Sequence, residues 1–491
     1  MSEKAMRYET ERLERFDSLM RMLFKVQQTV PVSVYVLPSI RDVQKLAHNG
    51  TIGGFYNADA QLAYMFVPQS VDEAYGGLTP ASVAQHEYTH HMLLSNLDVY
   101  VPGWATEGLA EFFSTAKLNS DGSITVGSPD NARAYDIVGM SRWTVKDMLT
   151  SDDREIGTDE IPEKYSRGWA LIDYLWMSGK RPGQYAKFIE LLNQSGDALA
   201  SGQKAFGDLD KLNGELNAYL TQRSIPVSRI TAAQLHTPSQ ATIRRLSDGE
   251  AAILPYRMQS LIGVDETTAP QLADEARPVA AKFPNDTFVQ RALAEMEYDA
   301  KQYDAADAAA DRALAADPNN LMAMAYKGRV AAQRARKSQS AADWQTARSW
   351  FLKANRVDTN HPLPFELYYD SFITAGQVPP ADAVTGLYRA VELMPQDTSL
   401  RARAAVELIR AGNLKRARAV LAPAAFDPHA SQDNAERKLV EEMDKGETSQ
   451  ALLAYVDKQR FLQRFNDFTG LEIAKEEAEK NKDKEKGKGK S

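Results

Sequence analysis

Apolar residues recur along this chain with two different periods. From Glu3 to Gln28 they return every three or four positions, which predicts an amphipathic helix. Val32-Ser33-Val34-Tyr35-Val36-Leu37 then alternates like a half-buried strand. Gly53 to Val67 reads as two strands joined by a turn at Asn57 to Ala60, with Leu62 to Val67 as an edge strand. Thr79-Pro80 supplies an N-cap and a first-turn proline, so a helix is expected to start there. On that helix Val83, His86, His90 and Leu94 share one stripe, while Ala84, Tyr88 and His91 occupy a second that faces inward. Another helix carries Trp104 to Phe113, and Asp121-Gly122 marks a hairpin with Ile124 to Val126 returning. Helical periodicity resumes at Tyr165 and runs to Arg223. Ser224 to Val264 reads as a β-containing linker, with Asp248-Gly249 turning between Ala241-Thr242-Ile243 and Ala252-Ile253-Leu254.

From about Pro270 the pattern becomes wholly helical and repetitive. Tyr303-Asp304-Ala305-Ala306, Ala310, Ala313-Leu314 and Asp317-Pro318 resemble the second helix of a tetratricopeptide repeat, in which small residues let paired helices approach and a proline ends the pair. Gly328 begins another unit, interrupted near Lys337 to Ala342 and resumed by Trp344, Ala347, Phe351 and Ala354. Gly376, Ala383, Ala390 and Pro395 mark a third, and Gly412, Ala417, Leu421 and Pro428 a fourth. The expectation is an all-α solenoid, whose surface either binds peptides and partner proteins or simply buttresses the rest.

At 491 residues and 43% hydrophobic, the chain is too long for one core. The expected division is 1–223, a linker module at 224–266, the solenoid at 267–446, a terminal helix at 447–470 and a charged tail at 471–491. Lys475 to Ser491, seven lysines and five acids among glycines, cannot bury a core and is expected to be disordered. A net charge of −8 gives no electrostatic support for nucleic-acid binding. The absence of cysteine excludes disulfides and thiolate metal sites. No apolar run approaches the ~20 residues of a membrane span, so no integral membrane segment is expected. Met1-Ser2-Glu3-Lys4-Ala5 does not read as a signal peptide. Export to the periplasm or exterior is slightly favoured if the natural start lies upstream, and a cytoplasmic location otherwise.

The candidate chemistry lies in His86-Glu87-Tyr88-Thr89-His90 and in Glu107. Two imidazoles four residues apart on a helix share one face, at a spacing that one zinc ion can bridge. Glu87 between them can take a proton from water at that ion, and a carboxylate from a second helix would complete three protein ligands with a fourth position open. The competing account is a structural His/Glu cluster. His91 sits about 100° around the helix from His90 and is expected to pack rather than ligate. His48, His236, His361 and His429 offer no ligand spacing.

H-E-x-x-H followed by Trp104-Ala105-Thr106-Glu107-Gly108-Leu109-Ala110-Glu111-Phe112 resembles the gluzincin zinc peptidases, most closely their peptidase MA-like branch, over approximately Met1 to Arg223. The resemblance implies a thermolysin-like α+β catalytic domain with Zn2+ on His86, His90 and Glu107 and Glu87 as general base. Glu111 falls where thermolysin-like enzymes place an acid that hydrogen-bonds a ligand histidine. Tyr165-Ser166-Arg167-Gly168 is similar to the Tyr-x-Lys-Gly that opens a helix in gluzincin aminopeptidases, where the phenol stabilises the oxyanion. The alternative for Tyr165 is packing at a helix start. The aminopeptidase Gly-x-Met-Glu-Asn segment has no counterpart; Gly53-Gly54-Phe55-Tyr56-Asn57 stands there instead. The resemblance therefore implies a zinc metallopeptidase, endopeptidase rather than aminopeptidase, acting on peptides or proteins with its repeats recruiting substrate or partner. The alternative is a catalytically silent metal-binding scaffold that works through its solenoid.

Overall fold

The structure is a computed structural model that describes residues 2–26, 30–75, 77–96, 99–129, 142–151, 157, 160–236, 241–426, 434–464, 466 and 468. It is mostly helical, with a small sheet region near the N-terminus and a solenoid-like helical part toward the C-terminus. The chain divides into two units. One holds Met1–Ala58, Leu62–Ile243 and Leu421–Val440; the other holds Asp59–Gln61, Arg244–Val420 and Glu441–Ser491. Among the described residues, no helix is long and apolar enough to cross a membrane.

In the first unit, helix α1 (Glu3–Phe24) is capped by Ser2 and ends where Lys25 turns left-handed, short of the expected Gln28. Strand β1 (Val32–Leu37) leads through helix α2 (Ile40–Leu46) to strands β2 (Phe55–Ala58) and β3 (Ala63–Pro68). The strand order is β1-β3-β2, with β1 parallel and β2 antiparallel to β3. This corrects the expectation for Leu62 to Val67, because β3 is the central strand and β2 the edge. The sequence carried the reason: Ala63-Tyr64-Met65-Phe66-Val67-Pro68 is an unbroken apolar run, buried at every position, as a strand flanked on both sides requires.

Helices α3 (Pro80–Asn96) and α4 (Gly103–Ser114) follow, then the short hairpin of β4 (Lys117–Leu118) and β5 (Ile124–Val126) around Gly122. Helix α5 (Val145–Thr150) carries a Thr144/Asp147 capping box. Helices α6 (Ile161–Met177), α7 (Gln184–Ser195), α8 (Ala198–Phe206) and α9 (Leu209–Leu220) come next in the chain. Pro162 in the first turn starts α6 ahead of Tyr165, so Tyr165-Ser166-Arg167-Gly168 lies within the helix and does not open it. Strand β6 (Ser228–Ile230) joins β5 antiparallel. One core joins these elements, with Phe16 from α1, Met65 from β3, Met92 from α3, Phe113 from α4 and Trp169 from α6 all at 2% exposure or less. Each such side chain contributes about 2–3 kcal/mol of apolar burial.

The stretch expected to be a β-containing linker holds strand β6 but is also partly helical. Asp248–Leu261 is a helix, α10, and the strands expected at Ala241 to Ile243 and Ala252 to Leu254 do not form. Ser247 and Glu250 make a reciprocal capping box, so Asp248-Gly249 is the first helical turn instead of a hairpin.

The second unit continues through α11 (Thr268–Ala280), α12 (Thr287–Asp299), α13 (Tyr303–Ala316), α14 (Leu321–Ser338), α15 (Ala341–Val357), α16 (Leu363–Thr374), α17 (Ala381–Leu393) and α18 (Thr398–Arg410). Asp286, Asn320 and Asp397 each accept a backbone N–H at the start of α12, α14 and α18. Each stands two residues after Pro284, Pro318 or Pro395, so one short motif ends a helix and caps the next. Ala306, Ala313, Ala347, Ala354, Ala383 and Ala390 are buried on α13, α15 and α17. The extra residues near Lys337 to Ala342 lengthen α14 and α15, which are separated by Gln339 in a left-handed conformation and a Ser340 cap. Helices α19 (Leu414–Ala425) and α20 (Ala435–Asp444) follow in the chain, their residues from Leu421 to Val440 belonging to the first unit, and Pro428 lies outside the described residues. The single terminal helix expected at 447–470 is two, α21 (Ser449–Lys458) and α22 (Phe461–Arg464), because Arg460 adopts φ 52° between them. The charged tail lies outside the described residues.

Candidate metal centre

Thr79 and Ser82 cap α3 reciprocally: Ser82 N–H donates to Thr79 Oγ1 at 3.0 Å and Thr79 N–H to Ser82 Oγ at 2.9 Å. That start sets the helical frame. The inward stripe of Ala84, Tyr88 and His91 is buried, and the Tyr88 hydroxyl donates to Asp17 Oδ1 on α1 at 2.7 Å. His91 takes no part in the metal group; its Nδ1 lies 3.2 Å from the Tyr56 hydroxyl, and burial pushes its pKa down to about 4. His86 and His90 are left on the adjoining face, one turn apart.

Glu107 arrives on α4, every residue of which is buried. So deep a helix must approach a neighbour closely, and it does so at a pair of glycines. A Cβ on Gly108 would lie 2.6 Å from the Gly168 carbonyl carbon of α6, and one on Gly168 would collide with the Trp104 carbonyl oxygen. Glu107 and Tyr165 therefore sit on two helices whose backbones touch. Arg167, next to Gly168, is held by Asn213 Oδ1 at 2.8 Å and Asn217 Oδ1 at 2.7 Å, which ties α6 to α9.

Three side chains expected to ligate are brought together. His86 Nε2 and His90 Nε2 lie 3.1 Å apart, and each faces one Glu107 oxygen at 3.5 Å. The edge of a tetrahedron of Zn–N and Zn–O bonds is about 3.3–3.4 Å, so the donors stand at ligand separations for one ion. His86, His90 and Glu107 form a group that could hold a metal ion, their ligand atoms all within 4.8 Å of one another. The His86 side chain keeps 21% of its surface exposed while that of Glu107 keeps 3%, so solvent reaches the group from the histidine side. Burial lowers the His86 pKa, but hydrogen bonding to Glu107 and the charges of Glu111, Glu107 and Glu87 outweigh it and lift it to about 9. Carboxylates that favour a positive charge on His86 so strongly form a site suited to a cation.

Glu111 Oε1 is 4.0 Å from His86 Nδ1, on the far side of the ring from Glu107. Glu87 is 8% exposed and lies against Gly54, where a Cβ would stand 3.1 Å from the Glu87 Cγ and 2.6 Å from Val83 Cγ1. Gly54 thus leaves room beside the acid at the start of the edge strand β2. Tyr165 is half-buried on α6, three residues before the glycine crossing.

Two features are not legible in the sequence alone. The glycine pair had a signal, in Glu107-Gly108 and Arg167-Gly168, but pairing them needs the fold. Asp173 on α6 had none. Its carboxyl is fully buried, accepts a hydrogen bond from the Tyr219 hydroxyl at 2.5 Å, and is raised by burial to about 7 against that hydrogen bond. Between about pH 4 and pH 7 the folded state holds a proton there that the unfolded chain releases, so stability should fall as pH rises through that window. Urea unfolding of the wild type and Asp173→Asn across pH 4–8 measures it. The wild type should lose on the order of a few kcal/mol relative to the variant, and parallel pH profiles would refute the assignment.

A family model described as Protein of unknown function (DUF1570) matches residues 80–196, which include α3, α4 and α6. Comparison with curated proteins finds no match.

Proposed function

We propose that this chain is a zinc-dependent peptidase of the gluzincin kind, with His86, His90 and Glu107 holding the ion. The observation that carries the proposal is the convergence of two histidine Nε2 atoms and both Glu107 oxygens, with Glu87 next to His86 in sequence and lying beside Gly54. A divalent cation bound there supplies Lewis acidity, which makes water nucleophilic near neutral pH and polarises a substrate carbonyl. Glu87 takes the proton from the attacking water and passes it toward the leaving amine. Tyr165 donates a hydrogen bond to the developing oxyanion, a task for which a phenol needs no charge. Glu111, beside His86 Nδ1, orients that ring and increases its basicity.

Endopeptidase action is favoured, because Gly53-Gly54-Phe55-Tyr56-Asn57 replaces the amine-holding segment of the aminopeptidases. The helices of the second unit, with alanines buried on α13, α15 and α17 and a proline-to-cap motif before α12, α14 and α18, support a tetratricopeptide-type array that recruits substrate or partner proteins.

The test is hydrolysis of an unfolded protein substrate by the full chain. Activity should disappear with a chelator and return on adding Zn2+. Activity that persists in the metal-stripped chain, or none in the zinc-loaded chain, would overturn the proposal.

A further inference from the structure

The histidine that stays out of the metal group ties α3 to the edge strand β2. His91 is fully buried, and its Nδ1 lies 3.2 Å from the Tyr56 hydroxyl. Its ring meets two tyrosine rings at steep angles, 61° to Tyr56 and 60° to Tyr88, with centroids 5.4 Å away in each case. Tyr88 is itself pinned to α1, where Asp17 accepts its hydroxyl at 2.7 Å and Arg21 Nε at 2.6 Å. One side of the imidazole is therefore anchored in the helices and the other on the strand.

The spacing brings this contact to the general base. Glu87 and His91 are one helical turn apart on α3, a rise of about 6 Å. Gly54 and Tyr56 are two residues apart in extended chain, about 7 Å, and face the same side. The two steps match, so β2 lies along α3 with Gly54 against Glu87 and Tyr56 against His91. Met65, opposite Tyr56 in the ladder, carries that face of the sheet into the core. Asn57 faces the other way and donates to the Tyr64 hydroxyl at 3.0 Å. No side chain at 54 separates the strand backbone from Glu87, so the distance of β2 from α3 limits where that carboxylate can turn.

We propose that His91 and Tyr56 are positioning residues for Glu87: their contact fastens the edge strand to α3 and keeps Gly54 against the base. The proposal rests on the peptidase reading of the site and gives a task to the histidine that does not ligate. Ladder hydrogen bonds hold β2 to β3 alone, on one side, so an edge strand needs a second attachment to stay seated. A catalytic group displaced by about 1 Å loses on the order of 10²-fold in rate, and partial loosening costs less.

The experiment uses the full chain loaded with Zn2+, an unfolded protein substrate, and hydrogen exchange of residues 53–58. Tyr56→Phe removes the hydroxyl and keeps the ring. It should speed exchange at 53–58 about tenfold and lower kcat about tenfold, with KM and zinc content unchanged. Tyr64→Phe, which removes a hydroxyl from the opposite face of the same sheet, should do neither. His91→Phe should match Tyr56→Phe, and the two together should lose no more than either alone. His91→Asn, whose carboxamide can still meet the phenol, should recover most of the rate. If His91→Phe does not fold, Tyr56→Phe and His91→Asn carry the comparison. Multiplied losses in the double variant, unchanged exchange in Tyr56→Phe, or faster exchange with kcat intact would overturn the proposal. An inactive zinc-loaded chain without substitutions would sink the peptidase reading and this role with it, whereas failure of the proposal alone shows as full activity in Tyr56→Phe.

Discussion

Glu87→Gln should leave the metal content of the chain unchanged and lower peptide hydrolysis by about 10²–10⁴-fold, the usual contribution of a positioned general base. The substitution keeps shape and volume, so the neighbours of Glu87 at Gly54 and Val83 remain accommodated. It leaves His86, His90 and Glu107 in place, and so it separates metal binding from turnover. A neutral amide cannot take the proton of an attacking water, and the loss should therefore fall on kcat with KM little changed. Metal analysis and steady-state kinetics on the same preparation make the measurement. Near-full activity in the variant would remove Glu87 from the mechanism. A scaffold that works only through its helical array would be indifferent to the change.

Gly168→Ala should cost about 3 kcal/mol or more in stability and weaken metal binding with it, although residue 168 touches no ligand atom. The added methyl group meets the Trp104 carbonyl oxygen, with the Trp104 carbonyl carbon at 3.3 Å and the Gly108 Cα at 3.5 Å. Those neighbours are backbone of a fully buried helix, so they cannot swing aside as a flexible side chain could. Relief requires α4 to move away from α6, and α4 carries Glu107. Gly214→Ala is the matched control: it lies within α9 with nothing inside 4 Å of the added carbon, and it should be neutral or stabilising by about 1 kcal/mol. Urea unfolding midpoints and zinc titration of both variants make the comparison. Wild-type stability and affinity in Gly168→Ala would refute the account of the crossing.

Much of the candidate site is legible in the sequence, because helical geometry does the positioning locally. Thr79-Pro80 and the apolar inward stripe determine the frame of α3, and that frame alone sends His86 and His90 to one face and His91 into the core. The repetitive helices are legible for the same reason, since Pro318 and Pro395 stop helices by losing a donor wherever they stand. Local chemistry is also present at Ser247 and Glu250, where a capping box makes a helix of a stretch that resembles a hairpin turn.

Other features were decided only in three dimensions. The burial of β3 in the middle of its sheet depends on β1 pairing with it in parallel, a contact across more than the local chain. The approach of Glu107 to two histidines on another helix depends on Gly108 and Gly168 meeting, and nothing in either segment states that they will. The amino-acid order determined which way each helix faces, since a periodicity of 3.6 residues needs no partner. Which helices touch, and hence whether one cation meets three donors, was settled by close packing between residues distant along the chain.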